Sequence, residues 1–210
     1  ASLVAMTKDN LKARLAYSTV SQLSYIVLGA MLASGIGAVG GAMHIAMHAF
    51  GKITLFFCAG AIMVASHKTE ISQMKGLGRK MPITFACFLI GALSIIGLPP
   101  LGGVWSKWYL SLGAAETGQL VFIAVFMISS LLNIAYLVPI VINGFFFAPP
   151  EEAHDDHHFD YHSHVDHGPG DATGSNQWRV RGFEEAPLMC VGALTFTAAG
   201  CIVLLFSANP

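Results

Sequence analysis

Residues 120–147, LVFIAVFMISSLLNIAYLVPIVINGFFF, contain no Asp, Glu, Lys or Arg. A run of this length exceeds the roughly 20 apolar residues that cross a bilayer core as a helix. Backbone groups in lipid must be bonded inside the segment, so a run that stands alone in the chain is a helix. Residues 11–33, 41–66, 82–98 and 186–207 read in the same way. None shows the two-residue alternation of a membrane barrel. Charged residues make up 11% of the chain, against about a quarter in a soluble domain, and most lie between these runs. The expected fold is all-α, a polytopic transmembrane bundle of about five membrane helices. The third is broken at Pro99 and Pro100, with Gly102 and Gly103 following and a short helical piece at 104–115.

The opening ASLVAM reads as the end of an earlier apolar helix, so the chain is expected to be the C-terminal fragment of a longer protein. Residues 1–10 then form that helix end and a cytoplasmic link, 11–147 the membrane helices with an ion pathway, 148–185 a hydrophilic loop, and 186–207 the last helix. Lys8, Lys12 and Arg14 flank the first helix and Lys68, Lys75, Arg79 and Lys80 crowd the loop at 67–81, whereas 34–40 has no basic residue. Positive loops stay inside, which puts the Lys8 end and the 67–81 loop in the cytoplasm. The four cysteines lie in apolar runs without paired spacing and read as small buried hydrophobes.

MHIAMHAFGK, residues 43–52, places His44, His48 and Lys52 at four-residue steps. Such steps drift by only about 40° around a helix, so the three form a column with roughly 6 Å between neighbours. An ammonium inside a membrane helix is costly and marks a functional position by default. A neutral imidazole donates with one nitrogen and accepts with the other, which suits it to passing protons. The plain alternative is that the histidines bond to neighbouring helices. Haem ligation fits poorly, because both imidazoles share one face while axial ligands approach a haem from opposite sides.

Lys107 follows GLPPLGGVW, where prolines remove backbone donors. Broken helices at membrane depth line cavities or are buried in protein, and transporters place ion sites at them. The alternative for Lys107 is a loop lysine that snorkels to the headgroups. In the first helix Arg14, Ser18, Ser21 and Tyr25 make one polar stripe, either helix–helix glue or a hydrated lining facing the histidines. Lys12 lies at the opening of that helix. The 148–185 loop holds six of the nine histidines among acidic residues. It reads as a solvated connector, with weak metal binding as the alternative.

The stretches LKARLAYSTVSQLSYIVLG, MHIAMHAFGKITLFFCAGAI and LPPLGGVWSKWYL resemble the antiporter-like membrane subunits of Mrp-type monovalent cation/proton antiporters and of respiratory complex I. Of these two groups, LLNIAYLVPIV and HKTEISQMKGLGRKMP are more similar to the Mrp type. The resemblance covers nearly all of residues 1–147. It implies about fourteen helices in the whole subunit, of which these are the last five, and two inverted repeats each with a broken helix. It also implies a line of buried basic residues that maps onto Lys12, His44, His48, Lys52 and Lys107.

The function this implies is ion translocation by a cation/proton antiporter subunit, not an enzyme, in the cell inner (plasma) membrane. Its implied partners are the lipid bilayer, other subunits of a hetero-oligomeric complex, protons, and Na+ or another monovalent cation. Neither a cofactor, a metal nor nucleic acid is expected. The alternative within the same residues is a proton-pumping subunit of NADH dehydrogenase or a membrane hydrogenase.

Overall fold

The computed structural model describes residues 1–147, 179–180 and 183–207. The chain is an all-α bundle of the polytopic membrane type. In order, its helices are α1 Ser2–Thr7, α2 Leu11–Met31, α3 Gly35–Ser66, α4 Leu77–Lys80, α5 Pro82–Ile96, α6 Gly103–Glu116, α7 Leu120–Phe146 and α8 Leu188–Ser207. A 3-10 turn at Ile71–Met74 precedes α4. Two-residue strands, β1 Arg179–Val180 and β2 Phe183–Glu184, pair antiparallel before α8. The rest of the His- and acid-rich stretch at 148–185 lies outside the described residues, apart from Glu185. By length and composition α3, α7 and α8 suffice to cross a membrane, while α5 and α6 share one interrupted run.

The helix ends follow local chemistry. The Asn10 side chain accepts from Ala13 N at 3.1 Å and starts α2. The Ser34 side chain accepts from Gly37 N at 2.9 Å and starts α3. Pro82 opens α5, where its missing N–H costs nothing. The start of α3 lies six residues before the expected one. The glycines of SGIGAVGG look like a connection, yet they are the surface on which α6 seats. A Cβ on Gly40 would stand 2.7 Å from Leu110 N, and one on Gly113 would stand 2.6 Å from both Gly37 N and Gly37 Cα. Small residues allow this approach of backbones, the usual basis of helix association in lipid. The earlier start has a consequence for chemistry. Lys52 sits seventeen residues after Gly35 and fourteen before Ser66, so it lies about 26 Å along a helix about 48 Å long.

Helix α3 is the centre of the bundle and packs against α2, α5, α6 and α8. The apolar core below Lys52 is built by Leu55, Ile62, Phe85, Phe88, Leu137 and Ile140. Large apolar side chains also face outward, among them Val121, Met127, Leu131 and Phe196, as a lipid-facing surface requires. Leu11 N bonds to Thr69 O and Ile71 N to Asp9 O, which ties the link before α2 to the loop after α3 on one side of the bundle. Cys58, Cys87 and Cys201 are buried, Cys190 is partly so, and all four are free.

Glu185, just ahead of α8, is buried and accepts from Ile83 N and Thr84 Oγ1, both at 2.7 Å. Its carboxylate therefore sits at the positive end of the α5 dipole.

The α3–α6 seam gives a direct test. Gly113→Ala must push the two backbones apart, and should lower the unfolding free energy of the detergent-solubilised protein by about 1–3 kcal/mol. Gly60→Ala, where a Cβ meets nothing within 4 Å, should be neutral or slightly stabilising. Equal thermal unfolding midpoints for the two variants would contradict the packing described.

Candidate functional site

Helix α5 ends at Gly97, whose φ of 80° is the left-handed cap that glycine adopts without strain. In a helix that ran on, the N–H groups of residues 99 and 100 would bond the carbonyls of residues 95 and 96. Both are prolines and have no N–H. The chain turns back instead, and α6 starts against the last turn of α5; a Cβ on Gly103 would collide with Ser94 O. One turn into α6, Lys107 Nζ donates to Ile95 O at 3.0 Å and to Ile96 O at 2.7 Å. The ammonium supplies the two hydrogens that the prolines withhold. It also places a positive charge at the negative end of the α5 dipole, opposite Glu185.

The third bond of Lys107 Nζ goes to Ser130 Oγ on α7, at 2.9 Å. Its three hydrogens thus have three oxygen acceptors, all neutral. Should the ammonium lose a proton, the two carbonyls can only accept, but the Ser130 hydroxyl can rotate and donate to the amine. Lys52 is held in the same manner. It is 5% exposed, and donates to Leu15 O at 3.0 Å and Ser18 Oγ at 2.8 Å on α2. Each lysine therefore has neutral acceptors, of which one is a hydroxyl able to exchange roles.

His48 and His44 stand between the lysines. Their rings stack with centroids 5.8 Å apart, and both side chains are buried. His44 Nδ1 lies 3.0 Å from Ser106 Oγ, next to Lys107 in sequence. The Tyr25 ring is a second bridge, edge-on to His44 at 5.4 Å and 5.5 Å from Lys107 Nζ. The Nε2 atoms of both histidines and both polar side-chain atoms of Gln22 are buried without a partner among the described residues. A groove of about 340 Å³ runs along Ser21, Ser24, Tyr25 and Ser129, and another of about 330 Å³ borders Lys107, Trp108 and Ser130.

His44, His48, Lys52 and Lys107 are thus brought into one row by α3 and α6. Pro99, Pro100, Gly102 and Gly103 form the break beneath it. Lys12 is exposed at the start of α2, with Nζ 3.3 Å from Met63 Sδ, and stands outside the row. The polar stripe of α2 divides. Ser18 and Tyr25 face the row, whereas Ser21 bonds Ser2 at 2.6 Å and Arg14 donates to Lys8 O and Tyr136 O. Gln22, Ser106, Ser130, Asn133 and Tyr136 escaped the reading of the sequence as site residues. Asn133 and Tyr136 had a usable signal, being polar groups three residues apart in an otherwise apolar run.

Comparison with known proteins agrees with this architecture. The family model for the transmembrane region of NADH:quinone oxidoreductase and Mrp antiporter subunits matches residues 1–133. NADH-quinone oxidoreductase subunit N of Desulforudis audaxviator is 40% identical over 150 residues, which are 71% of this chain and 30% of that protein. In the Mrp complex from a Dietzia species, a chain superposes with a TM-score of 0.78 at 25% identity, over 98% of this chain and 41% of its own length. A chain of respiratory complex I from Thermus thermophilus shares the fold, with a TM-score of 0.70 at 21% identity over 98% of this chain and 38% of that one. The chain spans well under half the length of these relatives. It belongs to the NADH:quinone oxidoreductase/Mrp antiporter transmembrane family.

Proposed function

We propose that the chain translocates protons as part of a membrane antiporter subunit, within a complex that exchanges Na+ or another monovalent cation. The observation that carries this reading is the pair of lysines held only by neutral oxygens, each with a serine hydroxyl that can reverse, with His48 and His44 standing between them. Protons pass along Lys52, His48, His44 and Lys107, with water between groups about 6 Å apart. Lys12 serves at the surface end of the pathway rather than within it. The chain performs no redox step of its own. Its setting is the plasma membrane, with the Lys8 end and the 67–81 loop in the cytoplasm and other subunits alongside.

A second reading has its own support, because curated relatives include NADH-quinone oxidoreductase subunits N and L. The same row would then pump protons in a redox-linked complex. Sodium-dependent proton movement in vesicles without any electron donor supports the antiporter; proton movement only with a donor supports the redox complex.

Lys107→Ala would orphan two carbonyls, so the informative variant is Lys107→Gln, whose amide donates two hydrogens but holds no proton to release. Proton-coupled exchange in vesicles should fall to background while the complex still assembles. Normal flux in that variant would contradict the proposal.

The histidines give a graded expectation. His48→Ala should slow exchange by about a hundredfold, the scale of losing one proton-transfer group. His48→Gln, which still hydrogen-bonds a water in line, should be less impaired. Wild-type flux in both would make the column structural.

A further inference from the structure

Lys52 is connected to more than the α3 column. Its partner Ser18 lies 2.8 Å from the Tyr136 hydroxyl, which also bonds Asn133 Oδ1. Ser18, Asn133 and Tyr136 are at most 1% exposed. The Tyr136 hydroxyl has a single hydrogen and two oxygens that can take it. Which one it serves depends on Ser18, and Ser18 depends on Lys52.

With Lys52 charged, its N–H donates to the Ser18 oxygen, Ser18 places its own hydrogen on Tyr136, and Tyr136 donates to Asn133 Oδ1. With Lys52 neutral, the amine lone pair requires a hydrogen. Ser18 turns to provide it, Tyr136 turns to donate to Ser18, and Asn133 turns its amide so that Nδ2 donates to Tyr136. Asn133 Nδ2 is buried with no partner among the described residues, so this last turn breaks no other bond. Every bond of one arrangement has a counterpart in the other, and no proton leaves its residue.

The far end of this chain lies on α7, the helix that also carries Ser130. Ser130, Asn133 and Tyr136 follow at three-residue steps along α7, each neighbouring the next, and Ser130 holds Lys107. Arg14 Nη1 pins the Tyr136 carbonyl at 3.2 Å, next to Pro139 in the same helix. We infer that Ser18, Tyr136 and Asn133 form a reversible hydrogen-bond chain that reports the charge on Lys52 to α7, where Ser130 holds Lys107. This rests on the translocating role proposed for the two lysines, and it is a route from Lys52 to α7 that uses neither histidine.

The test is infrared difference spectroscopy on the complete assembled transporter carrying ring-labelled tyrosine. Tyr136→Phe, which keeps the ring, identifies the Tyr136 C–O band; Asn133→Leu identifies the chain from its other end should that variant fail to assemble. Lys52→Met should shift the Tyr136 band, because Ser18 then takes its hydrogen from Tyr136. In a Ser18→Ala background the same substitution should cause no further shift. Tyr136→Phe should also slow turnover by about fivefold to tenfold, the scale of one hydrogen bond, with KM for the cation unchanged. A Tyr136 band unmoved by Lys52→Met, one that still responds after Ser18→Ala, or wild-type turnover in Tyr136→Phe would overturn the inference. The bands are read without flux, so the chain can fail while the Lys107→Gln result stands, and the converse is equally visible.

Discussion

The carbonyls of Ile95 and Ile96 have lost their helical partners to Pro99 and Pro100, and Lys107 replaces them. An unpaired buried carbonyl costs about 1–3 kcal/mol, so a break with two of them needs a local donor. An ammonium meets this need twice over, by hydrogen bonding and by its charge at the negative end of a helix dipole. The same contact holds an ionisable group at the junction of α5, α6 and α7. Structural requirement and the proposed proton chemistry therefore fall on one side chain.

The remaining architecture keeps that junction in place. The glycines of α3 let α6 approach closely enough for Ser106 to reach His44. Glu185 holds the opposite end of α5 from the segment before α8. Toward its other end α8 lies over the break itself, where a Cβ on Gly102 would meet Leu204 at 3.2 Å. On the far side of α3, Lys52 depends on α2 for both of its acceptors. The two lysines are thus mounted on different helices but share α7 through Ser130 and Tyr136.

Much of this was legible in the sequence because it depends on short-range spacing. Four-residue steps place His44, His48 and Lys52 on one face of any helix, and adjacent prolines break any helix. Lys107 stood out because a lysine beside such a break has few cheap environments in lipid. What could not be read depends on contacts between distant segments. Ser18 meets Tyr136 across more than a hundred residues, and Glu185 reaches Thr84 over a similar separation. The glycines of SGIGAVGG misled for a related reason: alone they weaken a helix, whereas against α6 they are what permits the contact. Lys12 looked equivalent to the lysines of the row because its exposure is decided by packing around α2 and not by its position in the run.

A double-mutant cycle between the prolines and Lys107 tests the central exchange of donors most directly. In the native background, Lys107→Met should destabilise the protein by about 2 kcal/mol or more, since two carbonyls are left bare. With Pro99→Ala and Pro100→Ala in place, the restored N–H groups can serve Ile95 and Ile96, and the same substitution should cost much less. An unfolding free energy that falls equally in both backgrounds would contradict the account.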